Sequence, residues 1–297
     1  MYRVIQQHKE FNLDELPRSG NMINFSLFNE LSKPLIFRNF SIKFVVEGNE
    51  LYTVNDKKYL VEGGQYLLAN SFCEGRVEID SKKTVKGICI DVSTNILSEV
   101  LGSYLKPDSP FPDTSLDTFF NSEQFLENKY NTNNTKLGII LSKVAKQLDQ
   151  DPYADHKFNN EFYFTLAEKI VEDHCLIFRQ LNSINTVKYQ TRKDLFRRLC
   201  KGKRFLDDNF NEKISINSAA IHASLSEYHF FRLFKAAFNI TPQQYLNNKR
   251  LLIALNLLRK ENHSITEVAI ATGFSDVYSF SKSFKKHFGM SPSIIKQ

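Results

Sequence analysis

The chain has 297 residues and a formal net charge of +6, enough length for two domains that each fold without disulfides or a metal. The charge is uneven: from Tyr189 onward 18 Lys and Arg stand against 8 Asp and Glu, whereas residues 1–188 hold 21 against 25. The asymmetry points to a polyanionic partner for the C-terminal third and not for the rest of the chain, the alternative being a solvated basic surface.

From about residue 21 to 92 the pattern predicts strands. "MINFSLF", "PLIFRNFSIKFVVEG", "ELYTVN", "KKYLVEGGQYLLAN" and "TVKGICIDV" are β-branched or aromatic and often alternate. Asn55-Asp56 and Gly63-Gly64 supply turns, because these residues tolerate a left-handed backbone. Such spacing predicts a small antiparallel barrel or sandwich. Phe37, Phe44, Val46, Tyr52, Tyr66 and Leu68 are its candidate lining, either enclosing a small apolar or aromatic ligand or simply filling the interior.

Helical periodicity takes over at about 93–182, in "TNILSEVLGSYL", "TKLGIILSKVAKQLDQ" and "NNEFYFTLAEKIVEDHCLIFRQLN", with "KPDSPFPDTS" read as a loop. In the longest of these, Phe162, Leu166, Ile170, Cys175 and Phe178 make a seam for the domain's own core or for a second subunit. The polar stretch 183–196 is expected to be a linker, dividing residues 1–182 from residues 197–297.

An internal repeat occupies the last 85 or so residues. "SINSAAIHASLSEYHFFRLFKAAFNITP" (215–242) matches "SITEVAIATGFSDVYSFSKSFKKHFGMSP" (264–292), with an offset of 49 at the start and 50 from Phe230 against Phe280. Ser264 and Glu267 have capping-box spacing, and Ser226 or Ser275 is placed to cap the helix that follows. Phe230, Phe234 and Phe238, and likewise Phe280, Phe284 and Phe288, form a buried stripe at i, i+4, i+8. That stripe turns Glu227, Tyr228, Phe231, Arg232 and Lys235 outward in the first copy, and Asp276, Val277, Tyr278, Ser281, Lys282 and Lys285 in the second. A short helix, a turn and a longer helix with a basic outer face predict a helix-turn-helix.

Arg232 and Lys282 are the leading candidates for base or phosphate contact, Arg being the better base reader. Lys235, Lys285, Lys286 and Arg250 are expected on the phosphate backbone. Tyr228 and Tyr278 suit phosphate or sugar, or else cover the core edge. Phe231 either touches a thymine methyl or packs back on its own domain. "TPQQYLNNKRLLIALNLLRK" (241–260) is expected to be one spacer helix capped by Thr241, with Pro242 in its first turn.

These residues resemble the AraC-type bacterial transcription regulators. "RLLIALNLL" fits that family's spacer and "GFSDVYSFSKSFKKHFGMSP" its second-unit signature; Asn239 stands where a glycine is usual, and Phe231 where a polar residue is usual. The first part of the chain is more weakly similar to the family's cupin-like barrel and dimerisation helices. The resemblance implies an α+β protein of two domains, an N-terminal cupin-like antiparallel β-barrel with helices and a C-terminal all-α domain with two helix-turn-helix units. It implies double-stranded DNA as partner, a small-molecule effector or a homodimer as control, and RNA polymerase as a further partner of an activator.

Rival classes find little support in the sequence. There is no histidine between residues 21 and 92, which weighs against a cupin-type metalloenzyme, and no phosphate-loop, serine-hydrolase or zincin motif is present. Cys73, Cys89, Cys175 and Cys200 lack any C-x-x-C spacing and are expected to be reduced. The first residues do not resemble a secretory signal, and no run of about 18 apolar residues occurs, so a non-enzymatic cytoplasmic protein without cofactor or membrane partner is expected. An architectural or RNA-binding protein using the same basic face is the remaining alternative, although paired helix-turn-helix units fit the major groove of B-form DNA better than that of RNA.

Overall fold

The computed structural model describes residues 1–7, 20–37, 39–104, 113–186, 188–259 and 263–295, and the chain divides into two compact units, Met1–Phe178 and Arg179–Gln297. The first unit is built on one eight-stranded sheet: β1 (Tyr2–Gln6), β2 (Met22–Ile36), β3 (Phe40–Glu47), β4 (Asn49–Val54), β5 (Lys57–Glu62), β6 (Gln65–Ala69), β7 (Glu74–Val92) and β8 (Asn128–Asn131). Long β7 pairs with β2 along nearly its whole length and, on its other edge, with β3 near its end and β4 near its start, which lets the sheet roll on itself. Val45, Val54, Val61, Leu67, Val77, Ile79 and Val85 thereby meet in one interior cluster.

Hairpin chemistry fixes the predicted turns. Asn55 and Asp56 both take positive φ between β4 and β5, and Gly64 does so between β5 and β6. Two strands were not legible from alternation. β1 pairs parallel with β2, so the sheet is not purely antiparallel, and β8 is a short edge strand beside β6. "PLIFRNFSIKFVVEG" is two strand segments, the end of β2 and all of β3.

Helices α1 (Thr94–Tyr104), α2 (Asp113–Phe120), α3 (Lys136–Gln150) and α4 (Asn160–Asn182) follow. The proline-rich loop expected at 106–115 lies partly outside the described residues, and its last three residues begin α2. Thr135 caps α3 by accepting from the Gly138 N–H. In α4, Leu166, Ile170, Cys175 and Phe178 are buried within the unit, so this seam is core; Phe162 is only half-buried.

His174 of α4 is fully buried, with Nδ1 2.8 Å from the Ile170 carbonyl and Nε2 3.1 Å from the Tyr130 hydroxyl, among Phe120 and Phe125. Burial lowers its pKa from 6.5 to about 4, against the opposing hydrogen bond to Ile170. The unfolded chain therefore binds the proton first as acid is added. His174 contributes stability at neutral pH that is lost as the pH falls from 6.5 towards about 4. The urea midpoint of the wild-type first unit should drop across that window, and His174→Gln should flatten the drop; equal slopes would assign the acid sensitivity elsewhere.

The second unit is all helical: α5 (Tyr189–Asp208), α6 (Ile216–His222), α7 (Glu227–Phe238), α8 (Pro242–Leu258), α9 (Ile265–Ala271), α10 (Val277–Phe288) and α11 (Pro292–Ile295). The stretch expected as a linker, 183–196, is helical from Tyr189 onward. Its polar composition hides a buried stripe, because Phe196, Leu199 and Leu206 face the interior and Lys193 is buried with them.

Candidate nucleic-acid interface

Each half of the second unit is assembled by side-chain caps on short helices. Ser215 accepts from the Ser218 N–H to start α6, and Ser226 from the His229 N–H to start α7. In the second half Ser264 and Glu267 form the full capping box of α9. The cap of α10 is Asp276 rather than Ser275: the Ser279 N–H donates to its Oδ1 at 2.7 Å, and the Ser279 and Ser275 hydroxyls donate to Oδ2. These hydrogen bonds, those from Ser279 foremost, hold the Asp276 carboxyl below its ordinary pKa.

The changed cap explains the change of offset. Ser224 (φ +53°) and Gly273 (φ +79°) hold the same left-handed place in the two turns, 49 residues apart, whereas the caps Ser226 and Asp276 are 50 apart. The extra residue lies in the second turn. After the longer helices the pattern returns, with Asn239 (φ +59°) and Gly289 (φ +79°) as left-handed C-caps. Asn239 thus adopts the glycine's conformation, as the side chain most tolerant of it does.

Packing then fixes which side faces out. Phe230 and Phe234, and Phe280 and Phe284, are fully buried, while Phe238 and Phe288 close the ends of the stripes half-buried. α5 lies close beneath the first half: a Cβ on Gly202 would sit 2.5 Å from the Phe230 ring and 2.9 Å from the Ala219 carbonyl oxygen. α8 is capped by Thr241 in a capping box with Gln244 and has Pro242 in its first turn; its Leu251, Ala254 and Leu258 enter the second half's core. Asp207 of α5 anchors the other end of α8, accepting from Tyr245 at 2.6 Å, Lys249 at 2.7 Å and Lys203 at 3.0 Å. Burial opposes ionisation of Asp207, but the Lys249 and Tyr245 hydrogen bonds and the Lys203 charge outweigh it and hold the pKa below the ordinary value.

Opposite these cores the predicted faces are on the surface. On α7, Glu227, Tyr228, Phe231, Arg232 and Lys235 are all exposed, Tyr228 by 72 % and Phe231 by 43 %. On α10, Tyr278 (76 %), Lys282 and Lys285 are exposed, as is Lys286, while Ser281 is half-buried and Val277 packs against the second core. Neither tyrosine covers a core edge. Among the described residues Arg232, Lys235, Lys282 and Lys285 have no carboxylate partner, so their charge is available to an external anion. His229, exposed beside Tyr228, was not singled out in the sequence, since at that position the repeat carries Ser279, which is spent on the Asp276 cap.

Arg250 does not belong to this face. It is 8 % exposed, its Nε donates to the Phe210 carbonyl at 2.6 Å and its Nη2 to that of Glu212 at 2.7 Å, with Phe274 against the guanidinium. The expectation of a phosphate contact there is corrected: the side chain points into the unit, where two backbone carbonyls use its donors.

The candidate ligand lining in the first unit is split by the strand register. Phe44 opposes Tyr66 and Ile88, and Leu68 opposes Ile42, all on one face, where the Tyr66 hydroxyl meets Thr135 at 3.0 Å. Phe37 and Tyr52 belong to the interior cluster on the other face with Val45 and Leu67. Val46 is half-buried at a register shift. The six residues therefore do not line one cavity. What shares the interior face with Tyr52 is a polar group the sequence reading missed: Ser41 bonded to Asp91, Glu50 bonded to the Tyr52 hydroxyl, and Lys43 beside Cys89. Only pairing between distant strands brings these residues together.

Paired cap-turn-cap helices with matching outer faces define a double helix-turn-helix nucleic-acid-binding domain. Residues 219–297 match the family described as a helix-turn-helix domain, and the chain carries an AraC-type helix-turn-helix domain at its C-terminus. It is 35 % identical over 138 residues to the HTH-type transcriptional activator RhaS of Enterobacter sp. (strain 638), covering 44 % of this chain and 50 % of that protein. To RhaS of Salmonella arizonae it is 41 % identical over 93 residues, 31 % of this chain and 34 % of that protein. The chain thus spans half or less of the length of these curated relatives. Among solved structures, a transcriptional regulator of Chromobacterium violaceum with an AraC-type DNA-binding domain matches with 28 % identity over 34 % of this chain and 89 % of its own, at a TM-score of 0.32.

Proposed function

We propose that the protein is a sequence-specific transcription regulator whose α7 and α10 dock in successive major grooves of one DNA duplex, about 34 Å apart. The observation that carries this is the repeated outward face, with Tyr228 and Arg232 on one helix matched by Tyr278 and Lys282 on the other and the cations without a carboxylate partner among the described residues. Residues 197–297 form the DNA-binding part and residues 1–182 the sensor or dimerisation part. In that role a small-molecule effector or a second copy controls whether both helices dock together. With the α4 seam buried, a second copy would meet exposed residues such as Ile139 and Leu176. The relatives' description as activators supports contact with RNA polymerase, and no helix among the described residues is long and apolar enough to cross a membrane.

Affinity for operator DNA should fall with salt at a log–log slope of about −5, as neutralising about six phosphates requires. A slope near zero, or equal affinity for duplex RNA, would remove the DNA reading. Phe231, exposed beside Arg232, is assigned to a thymine methyl in the first half-site. Phe231→Ala should therefore erase a preference for T over C at one position there, and an unchanged preference would exclude that contact.

A further inference from the structure

On the interior face of the rolled sheet three side chains stand in a row across β2, β7 and β3, since Asn24 opposes Cys89 and Cys89 opposes Lys43 in the strand register. Lys43 Nζ is 2.6 Å from Cys89 Sγ. A hydrogen bond to sulfur is longer than the N–H···O distance of about 2.9–3.0 Å, because sulfur is the larger atom. The observed separation is shorter than either and is what one bridging oxygen between nitrogen and sulfur would give. Asn24 is 4 % exposed and its Oδ1 lacks a hydrogen-bond partner among the described residues, an orphaned acceptor on the same face. Lys43 and Cys89 are each half-buried.

We propose that Lys43 and Cys89 are a modification site, closed by peroxide into an N–O–S cross-link between β3 and β7. One hydrogen peroxide oxidises the Cys89 thiol to the sulfenic acid and leaves as water. A second removes two further electrons as the lysine nitrogen bonds to the sulfenic oxygen. Overall one thiol, one ammonium and two peroxides give S–O–N–H, three waters and one proton, with Asp91 and Glu50 nearby to take the proton. Burial, the larger cause, and Asp91 push the Cys89 thiol up to about 11; peroxide reacts with the thiolate, so the oxidation is slow at neutral pH and faster in alkali. Two equivalents of a dithiol would restore thiol and amine.

The test treats the full chain with hydrogen peroxide and maps tryptic peptides without reductant. The expected product joins the peptides holding Lys43 and Cys89, heavier than their sum by one oxygen less two hydrogens, with cleavage after Lys43 lost. It should vanish on dithiothreitol treatment and be absent from Cys89→Ser and Lys43→Arg. Oxidised wild type should also melt higher than reduced wild type, a difference Lys43→Arg lacks. Cys89 found only as its oxyacids with Lys43 still cleaved, or a linkage lacking the oxygen, would overturn the proposal, and neither result touches the DNA-binding reading.

Discussion

Phe280→Ala should destabilise the helical unit by about 3–5 kcal/mol, the usual cost of truncating a buried phenylalanine. Phe280 is fully buried against Leu251, Ala254, Leu258, Val268, Ala269 and Phe284, with the Phe274 and Phe284 rings edge-on at 5.2 and 5.5 Å. Helices of 7 and 12 residues such as α9 and α10 are marginal in isolation, so this core sustains them. Set against a typical domain stability of about 5–15 kcal/mol, the loss is a large fraction. In urea unfolding the midpoint of the variant should fall steeply and DNA binding should fail with it. Ser281→Ala, one residue along and on the outer side, should stay within about 0.5 kcal/mol. A Phe280→Ala protein as stable as wild type would mean that the stripe does not determine which side of α10 faces out.

That contrast shows why the DNA-facing half of the chain was so legible. Periodicity, caps and turn residues are local, and the repeat states them twice, so Ser226, Thr241, Ser264 and the phenylalanine stripes could be placed from spacing alone. Errors arose where a long-range relation decides. Alternation within a strand gives two faces, but which face of β4 joins which face of β6 depends on register, and so Tyr52 and Tyr66 fell on opposite sides. β1 and β8 are held by neighbours far away in sequence, Tyr2 opposite Ile23 and Asn128 opposite Leu68. In α5 the buried positions are interspersed with Lys and Arg, and one of these, Lys193, is itself buried in the stripe. The cap of α10 was missed by one residue because Ser275 and Asp276 are both good caps, and only the inserted residue in the turn selects between them.

Arg250 makes the sharpest case, because two readings of one cation predict opposite experiments. As a phosphate ligand, its loss would weaken DNA binding, reduce the salt slope by about 1 and leave folding alone. In the structure its guanidinium closes the connection between α5 and α6 onto α8, donating to Phe210 and Glu212. The turn at Gly273 passes so close that a Cβ there would lie 2.7 Å from the Phe210 oxygen and 3.0 Å from Arg250 Nη2. Arg250→Met keeps the apolar stem and removes both donors. The Phe210 carbonyl is then left without its donor at a cost of about 1–3 kcal/mol, while that of Glu212 keeps the Ile214 N–H. The urea midpoint should therefore fall, while the salt slope of the protein that remains folded stays at the wild-type value. Lys282→Ala should do the reverse, with an unchanged midpoint and a slope shallower by about 1. Should Arg250→Met instead reproduce the Lys282→Ala pattern, the arginine would have to leave its two carbonyls when DNA binds.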